Sequence, residues 1–303
     1  MQPVTPASNP HASTHAIPPR ALVLLVVLTL VWGTNWPLFA LATREVSVWT
    51  FRAVAVAIAG GALLAVARAR GQSLRVPREH WATIATATAF YLLLWNIAST
   101  YAAILIPSGQ AAILGFTMPL WAALFAWLAF GQRLTPRLGL AVALGAAAVG
   151  LLMWRGLAAY AQAPLGFFLG LLAGVGWAVG TLILKRRPVD VPALVLTGWQ
   201  LLLTAVPFTV GAFVLAEGPW FMPSWQSIAV IGWIALVPMA IGNAAWFAIV
   251  GMLPTQVAGL SSIGVPMVAM VAGALMHGEP LGPVQWLAMA CSAGALWLAL
   301  GRR

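Results

Sequence analysis

Asn96-Ile97-Ala98, Ile106-Pro107-Ser108, Met118-Pro119-Leu120 and Gly131-Gln132-Arg133-Leu134-Thr135-Pro136 form a stretch that the chain carries twice. The second copy reads Asn243-Ala244-Ala245, Leu253-Pro254-Thr255, Val265-Pro266-Met267 and Gly278-Glu279-Pro280-Leu281-Gly282-Pro283, offset by 147 residues throughout without a gap. An Asn, three Pro and a Gly keep register. One Pro separates two long apolar runs, and the next lies inside the following run. Such punctuation at a single offset marks a duplicated unit, which decides the architecture before any local reading.

Of 303 residues, 62% are hydrophobic and 7% charged, where a soluble domain has about a quarter charged. Crossing a bilayer takes about 20 apolar residues per helix. The apolar runs here are continuous, where barrel strands would alternate. The expected fold is an all-α, polytopic membrane protein. Ten transmembrane helices are expected at about 21–43, 47–67, 81–105, 107–130, 136–154, 165–185, 192–216, 225–250, 254–277 and 282–301. Pro107 and Pro254 stand where helices start, a position at which a missing N–H costs little. Residues 1–19, rich in Pro, Ser, Thr, His and Ala, are expected to form a disordered tail. The run after Arg20 ends in Ala40-Leu41-Ala42, which mimics a cleavage site, but it is too long for a signal-peptide core and is expected to stay.

The net charge of +10 is read as loop charge that sets orientation, with no nucleic-acid partner. Arg20, Arg68, Arg70, Arg75, Arg78, Arg133, Arg137, Lys185, Arg186, Arg187, Arg302 and Arg303 fall on one side of the ten spans, and Arg44 and Arg155 on the other. Both termini are therefore expected in the cytoplasm. Five spans per copy is an odd number, so the two copies must insert in opposite senses. The expected organisation is a tail over 1–19, a first five-helix repeat over 20–156 and a second, inverted one over 164–301. That is a plan of secondary transporters, with the substrate near the midplane between repeats. The single Cys291 excludes an internal disulfide and a Cys-based metal cluster. No metal and no cofactor are expected.

Ala103 to Pro107, Pro119-Leu120 and Phe130-Gly131-Gln132-Arg133-Leu134-Thr135 resemble the repeat of the drug/metabolite transporter superfamily, EamA branch. So do Pro254, Pro266 and Gly278-Glu279-Pro280-Leu281. Trp32-Gly33-Thr34-Asn35 resembles the family's opening motif, and Arg52 an arginine early in its second span. The resemblance covers about residues 20–301 and implies a ten-helix exporter with both termini inside. Within the branch the chain looks most like the YddG-type bacterial exporters of aromatic and other amino acids. One departure is visible: the glutamate after the glycine is kept as Glu279 but is Gln132 in the first copy, which leaves Glu279 a helix-end contact.

The acids Glu45, Glu79, Asp190, Glu217 and Glu279 all fall in expected loops or at helix ends. An intramembrane carboxylate would be the default proton relay, so carboxylate-based proton coupling is disfavoured. Arg52 is the one charge more than a turn inside an expected span. It either snorkels outward or pairs with Glu45, or it meets a substrate carboxylate. Polar uncharged groups are costly against lipid and are expected to face the interior as site or as helix-to-helix glue. Candidate substrate contacts are Asn96, Ser99, Gln110, Asn243, Ser261 and Ser262, with the aromatic Trp32, Trp36, Tyr91, Trp95, Trp177 and Trp246 as walls or as packing. An aromatic wall with few polar tips suits an amphipathic solute and can hold an ammonium. Spans three, four, eight and nine are expected to line the cavity, closed by spans one and six. Pro119 and Pro266 each interrupt a helix and are candidate hinges. The small residues of spans five and ten predict close packing between them.

These readings converge on an exporter of small metabolites, amino acids above all, in the bacterial inner membrane. It would work by alternating access, as a monomer among lipids with a small-molecule substrate. Drugs, quaternary amines and nucleotide sugars are rival cargoes. An intramembrane enzyme lacks a nucleophile with a base, since His11, His15, His80 and His277 lie in the tail or near helix ends. A structural or receptor-like helical protein would not need the repeat.

Overall fold

The computed structural model describes residues 19–131, 136–216, 223–252 and 261–300. Among them there is helix and no strand, as a bilayer requires when every backbone polar group must find its partner within the segment. The helices are α1 (Pro19–Ala42), α2 (Val48–Ala69), α3 (Trp81–Thr88), α4 (Trp95–Leu105), α5 (Ser108–Gly115), α6 (Met118–Phe130) and α7 (Pro136–Gln162). There follow α8 (Pro164–Arg186), α9 (Ala193–Val214), α10 (Trp225–Ile234), α11 (Gly242–Met252), α12 (Ser261–His277) and α13 (Pro283–Leu300). Six helical stretches are long and apolar enough to cross a membrane: Pro19–Ala42, Val48–Ala69, Arg78–Leu105, Pro164–Arg186, Ala193–Val214 and Trp225–Trp246. Among the described residues, Gly139–Leu151 and Gly264–His277 are shorter apolar stretches.

Two of these rods are not uniform. Ala89–Leu94 joins α3 to α4, and Ala235–Ile241 joins α10 to α11, each as a π-helical segment. The two segments stand at nearly the 147-residue offset of the duplicated stretch. A π segment shifts backbone pairing from the fourth to the fifth residue. In both places an asparagine side chain adds a donor to a carbonyl of the segment. Asn96 Nδ2 donates to the Leu92 carbonyl at 2.8 Å, and Asn243 Nδ2 to the Met239 carbonyl. The glycines also match: Gly131 and Gly278 have φ of 62° and 65°, and their N–H groups donate to the carbonyls of Trp127 and Ala274.

The duplicated pattern of punctuation thus carries duplicated backbone geometry. The two prolines at 119 and 266 do not share it. Pro119 lies in the first turn of α6, after a break at Phe116 and Thr117, where its absent N–H leaves nothing unpaired. It starts a helix and does not interrupt one, which corrects the expectation. Pro266 is buried within the continuous α12.

The main packing pairs are α2 with α9, α7 with α13, α1 with α12, and α4 with α8. Glycine makes two of these contacts close. A Cβ on Gly60 of α2 would stand 3.0 Å from the Gly198 carbonyl of α9, and one on Gly198 would stand 3.3 Å from the Gly60 carbonyl. On α8, Gly166, Gly170, Gly174 and Gly180 are buried. A Cβ on Gly180 would stand 2.8 Å from the Tyr91 nitrogen and 2.9 Å from the Ala87 carbonyl. Small residues thus let α8 lie against the π-helical turn, where apolar lipid gives no hydrophobic drive and packing must supply the contact. Gly180→Ala is expected to lower stability by about 1–3 kcal/mol, the usual cost of overpacking. Gly61, which has nothing within 4 Å of a built Cβ, is the matched control. Thermal unfolding in detergent measures both; equal midpoints for G180A and G61A would refute the close approach.

Candidate functional site

A cavity of about 80 Å³ lies between the middle portions of the helices, room for several waters. Its wall comes from Trp32, Asn35, Trp36 and Phe39 on α1, Arg52 on α2, and Leu92, Trp95 and Asn96 around the first π segment. Phe116 and Met118 at the α5–α6 break, Trp177 on α8, Leu201 on α9, and Pro238, Met239 and Asn243 around the second π segment complete it. The duplicated asparagines meet here, from opposite ends of the chain.

Aromatic rings brace one another around this space. Trp95 contacts Trp36 edge-on with centroids 6.0 Å apart, and Trp177 at 4.8 Å. Trp177 in turn packs on Tyr91 at 4.3 Å. Trp32 is anchored by its indole N–H, which donates to the Pro238 carbonyl at 3.0 Å. The rings and the wall hold one another, so each ring meets the cavity in a defined pose.

Arg52 is the charged group of this wall. It is 2% exposed, and its guanidinium carbon sits 4.3 Å from the Phe39 ring and 4.7 Å from the Phe51 ring. Its Nε donates to Thr100 Oγ1 at 2.6 Å. Thr100 spends its own hydroxyl hydrogen on the Asn96 carbonyl, so its oxygen is committed to accepting. Arg52 Nη2 has no hydrogen-bond partner. Asn35 Oδ1, on the same wall, is a buried acceptor without a donor. Two wall residues thus each keep one buried polar atom, a cationic donor and an acceptor, without a hydrogen-bond partner.

The expectation that Arg52 snorkels outward or pairs with Glu45 is overturned. Glu45 turns to another helix: Ser224 N–H and the Ser227 hydroxyl donate to its Oε2 at 2.7 and 2.8 Å. These bonds cap the start of α10 and hold the Glu45 carboxyl below its ordinary value of 4.5, the Ser224 N–H first and the Ser227 hydroxyl next. Glu279 is a helix-end contact of longer reach. Its carboxylate accepts from Ser108 N–H at 2.8 Å and Gly109 N–H at 3.3 Å, capping α5 from the far half of the chain. Among the described residues no carboxylate lines the cavity.

Of the residues expected to bind substrate, Trp32, Trp36, Trp95, Asn96, Trp177 and Asn243 are on this wall together, and Arg52 with them. Tyr91 stands behind Trp177. Trp246 packs on Trp32, centroids 5.9 Å apart, and on the Leu28 and Ile249 cluster. Ser99 is buried away from the cavity with its hydroxyl unpartnered. Gln110 is half-buried on α5 and is not on the wall; its neighbour Gly109 faces Met270 of α12. The side chains of Ser261 and Ser262 lie outside the described residues, as does Glu217. The described part of the ninth expected span is absent from the wall, while α2 and α9 contribute to it.

Sequence reasoning passed over Asn35, Phe39, Phe116 and Pro238. Asn35 was within reach, since it closes the Trp32-Gly33-Thr34-Asn35 motif one turn before Phe39. Phe116 and Pro238 carried no comparable signal.

Residues 19–154 and 164–301 each match the model of the EamA-like transporter family. The chain is 26% identical over 273 residues to an uncharacterized transporter of Bacillus subtilis, YvbV, covering 86% of this chain and 85% of that protein. It is 25% identical over 271 residues to an uncharacterized inner membrane transporter of Escherichia coli, YedA, covering 88% and 85%. A probable amino-acid metabolite efflux pump of Escherichia coli is 27% identical over 192 residues, 60% of this chain and 63% of that one. A solved crystal structure superposes with a TM-score of 0.67 over 92% of this chain and 96% of that one at 22% identity, a likeness of fold.

The Glu45 cap predicts a pH dependence. A carboxyl depressed in the folded state stabilises above its unfolded value and loses that contribution as pH falls through the folded one. Glu45→Gln should therefore lower the unfolding midpoint at neutral pH, and the difference should close as pH drops below 4. A midpoint difference that is the same at both ends of the pH range would remove the cap.

Proposed function

The chain belongs to the EamA-like transporter family, and from that membership we propose that it exports small zwitterionic metabolites, amino acids above all, across the bacterial inner membrane. The observation that carries the cargo is the pairing of an unused buried donor, Arg52 Nη2, with an unused buried acceptor, Asn35 Oδ1, in one aromatic cavity. A carboxylate meets the guanidinium by charge-assisted hydrogen bonding. An ammonium donates to the amide oxygen and faces the tryptophan rings. Aromatic and other neutral amino acids suit the rest of the wall, and the finer likeness to YddG-type exporters belongs to this proposal.

In this reading the chain crosses the membrane ten times, with inverted halves over 20–156 and 164–301 and both termini in the cytoplasm. The recurrence of the π segments, their asparagines and the two left-handed glycines at one offset supports equivalent halves. Alternating access then rocks one half against the other around the cavity. The Glu279 cap on α5 is one of the contacts that ties the halves together. The working unit is a single chain. The acid-free wall supports transport or exchange driven by the substrate gradient, with no carboxylate relaying protons.

Export of drugs or quaternary amines is the second reading, and the tryptophan-rich wall favours it. The buried cation opposes it, since it repels a cargo that brings positive charge and no carboxylate. Purified protein in liposomes should exchange labelled phenylalanine with no imposed pH gradient. Arg52→Gln should cut that exchange by about tenfold or more, the worth of a hydrogen bond to a charged group. Phenethylamine, which lacks the carboxylate, should compete weakly against wild type. Strong competition by the amine, or unchanged exchange in R52Q, would move the cargo to the second reading.

A further inference from the structure

A second cavity, of about 620 Å³, opens at the far end of α2, where that helix, the 70–77 connection and α9 converge. Arg68, Gln72, Arg75, Trp81 and Trp199 stand on its wall, and among the described residues no carboxylate does. The nearby Glu79 lies 3.8 Å from His80. The wall is built and not incidental. Helix α2 ends with Gly71 at φ 74°, and Gln72 N–H returns to the Ala67 carbonyl while Gly71 N–H returns to that of Arg68. This is the Schellman ending, and it sets the direction in which the connection leaves. The Trp199 indole N–H then donates to the Leu74 carbonyl at 2.9 Å, pinning the connection to α9. Trp81 packs edge-on against Trp199 with centroids 5.4 Å apart.

Three chemistries coincide there. Two arginines offer a place for an anion. Gln72 Oε1 is buried with no donor, so an occupant should bring a hydroxyl. Two tryptophans and the exposed Val66 mark the level where apolar membrane meets headgroups, the usual position of such rings. We infer that this cavity holds the headgroup of an acidic glycerophospholipid, phosphatidylglycerol: its phosphodiester on Arg68 and Arg75, a glycerol hydroxyl on Gln72 Oε1, and its chains along the outer face of α2. Basic pockets between helix ends are suited to such headgroups. The inference rests on membrane embedding alone and is independent of the cargo.

Native mass spectrometry of the full chain in detergent, with equal phosphatidylglycerol and phosphatidylcholine, tests it. The acidic lipid should be retained in preference. Arg68→Gln with Arg75→Gln should weaken it about 25-fold, or about fivefold per arginine. Arg70→Gln with Arg78→Gln removes the same charge from the same connection but not from the cavity wall, and should leave retention unchanged. Equal retention of both lipids overturns the site. An equal fall in the two double variants reduces it to diffuse surface charge and overturns it as well. Displacement by millimolar inorganic phosphate would assign the cavity to a soluble anion and refute the lipid.

Discussion

In hydrocarbon a backbone carbonyl can find its donor only within the protein, and the structure turns on how two helices meet that demand where they depart from α geometry. At Ala89–Leu94 and Ala235–Ile241 the pairing shifts by one residue. Asn96 and Asn243 each donate a side-chain hydrogen bond to a carbonyl of these segments. The Trp32 indole supplies another, to Pro238. The groups that donate to these carbonyls also line the cavity, so the site lies at the local irregularity. A regular α-helix would need no such donors, and its interior face could be wholly apolar.

Arg52 poses the opposite problem, a charge withdrawn from water. Desolvating such an ion costs several kcal/mol even after relaxation. Two phenylalanine faces and one threonine oxygen offset part of that, and one end of the guanidinium is left without a partner. Removing the cation would relieve the fold of that burden. In the proposed function, an anionic group that arrives with the cargo completes its hydrogen bonding. The contrast with Arg68 and Arg75 is instructive: those two are exposed at a helix end, where their charge is hydrated.

The carboxylates are used elsewhere. Glu45 ties the α1–α2 connection to the start of α10, and Glu279 ties the α12–α13 connection to the start of α5. A helix start carries unpaired N–H groups and a positive dipole end, which a carboxylate satisfies together. Acids engaged in this way hold elements together and are not available to the cavity.

Hydropathy and spacing alone determined the helical class, the places where most helices begin and end, and the duplication at one offset. These are local or periodic properties, written in the chain wherever lipid forbids an unpaired backbone. The pairing of distant groups was settled by the tertiary structure. Arg52 and Glu45 are near in sequence, yet each found its partner on another helix. Gln110 follows a helix-starting proline as a site residue might, but the close seat of Gly109 on α12 leaves it off the wall. Asn35 belongs to a motif visible in the chain, and its inward direction followed from how α1 is rotated against its neighbours. On a helix each residue turns about 100° from the last, so which side chain reaches the cavity depends on packing, and packing is decided among helices that the sequence places far apart.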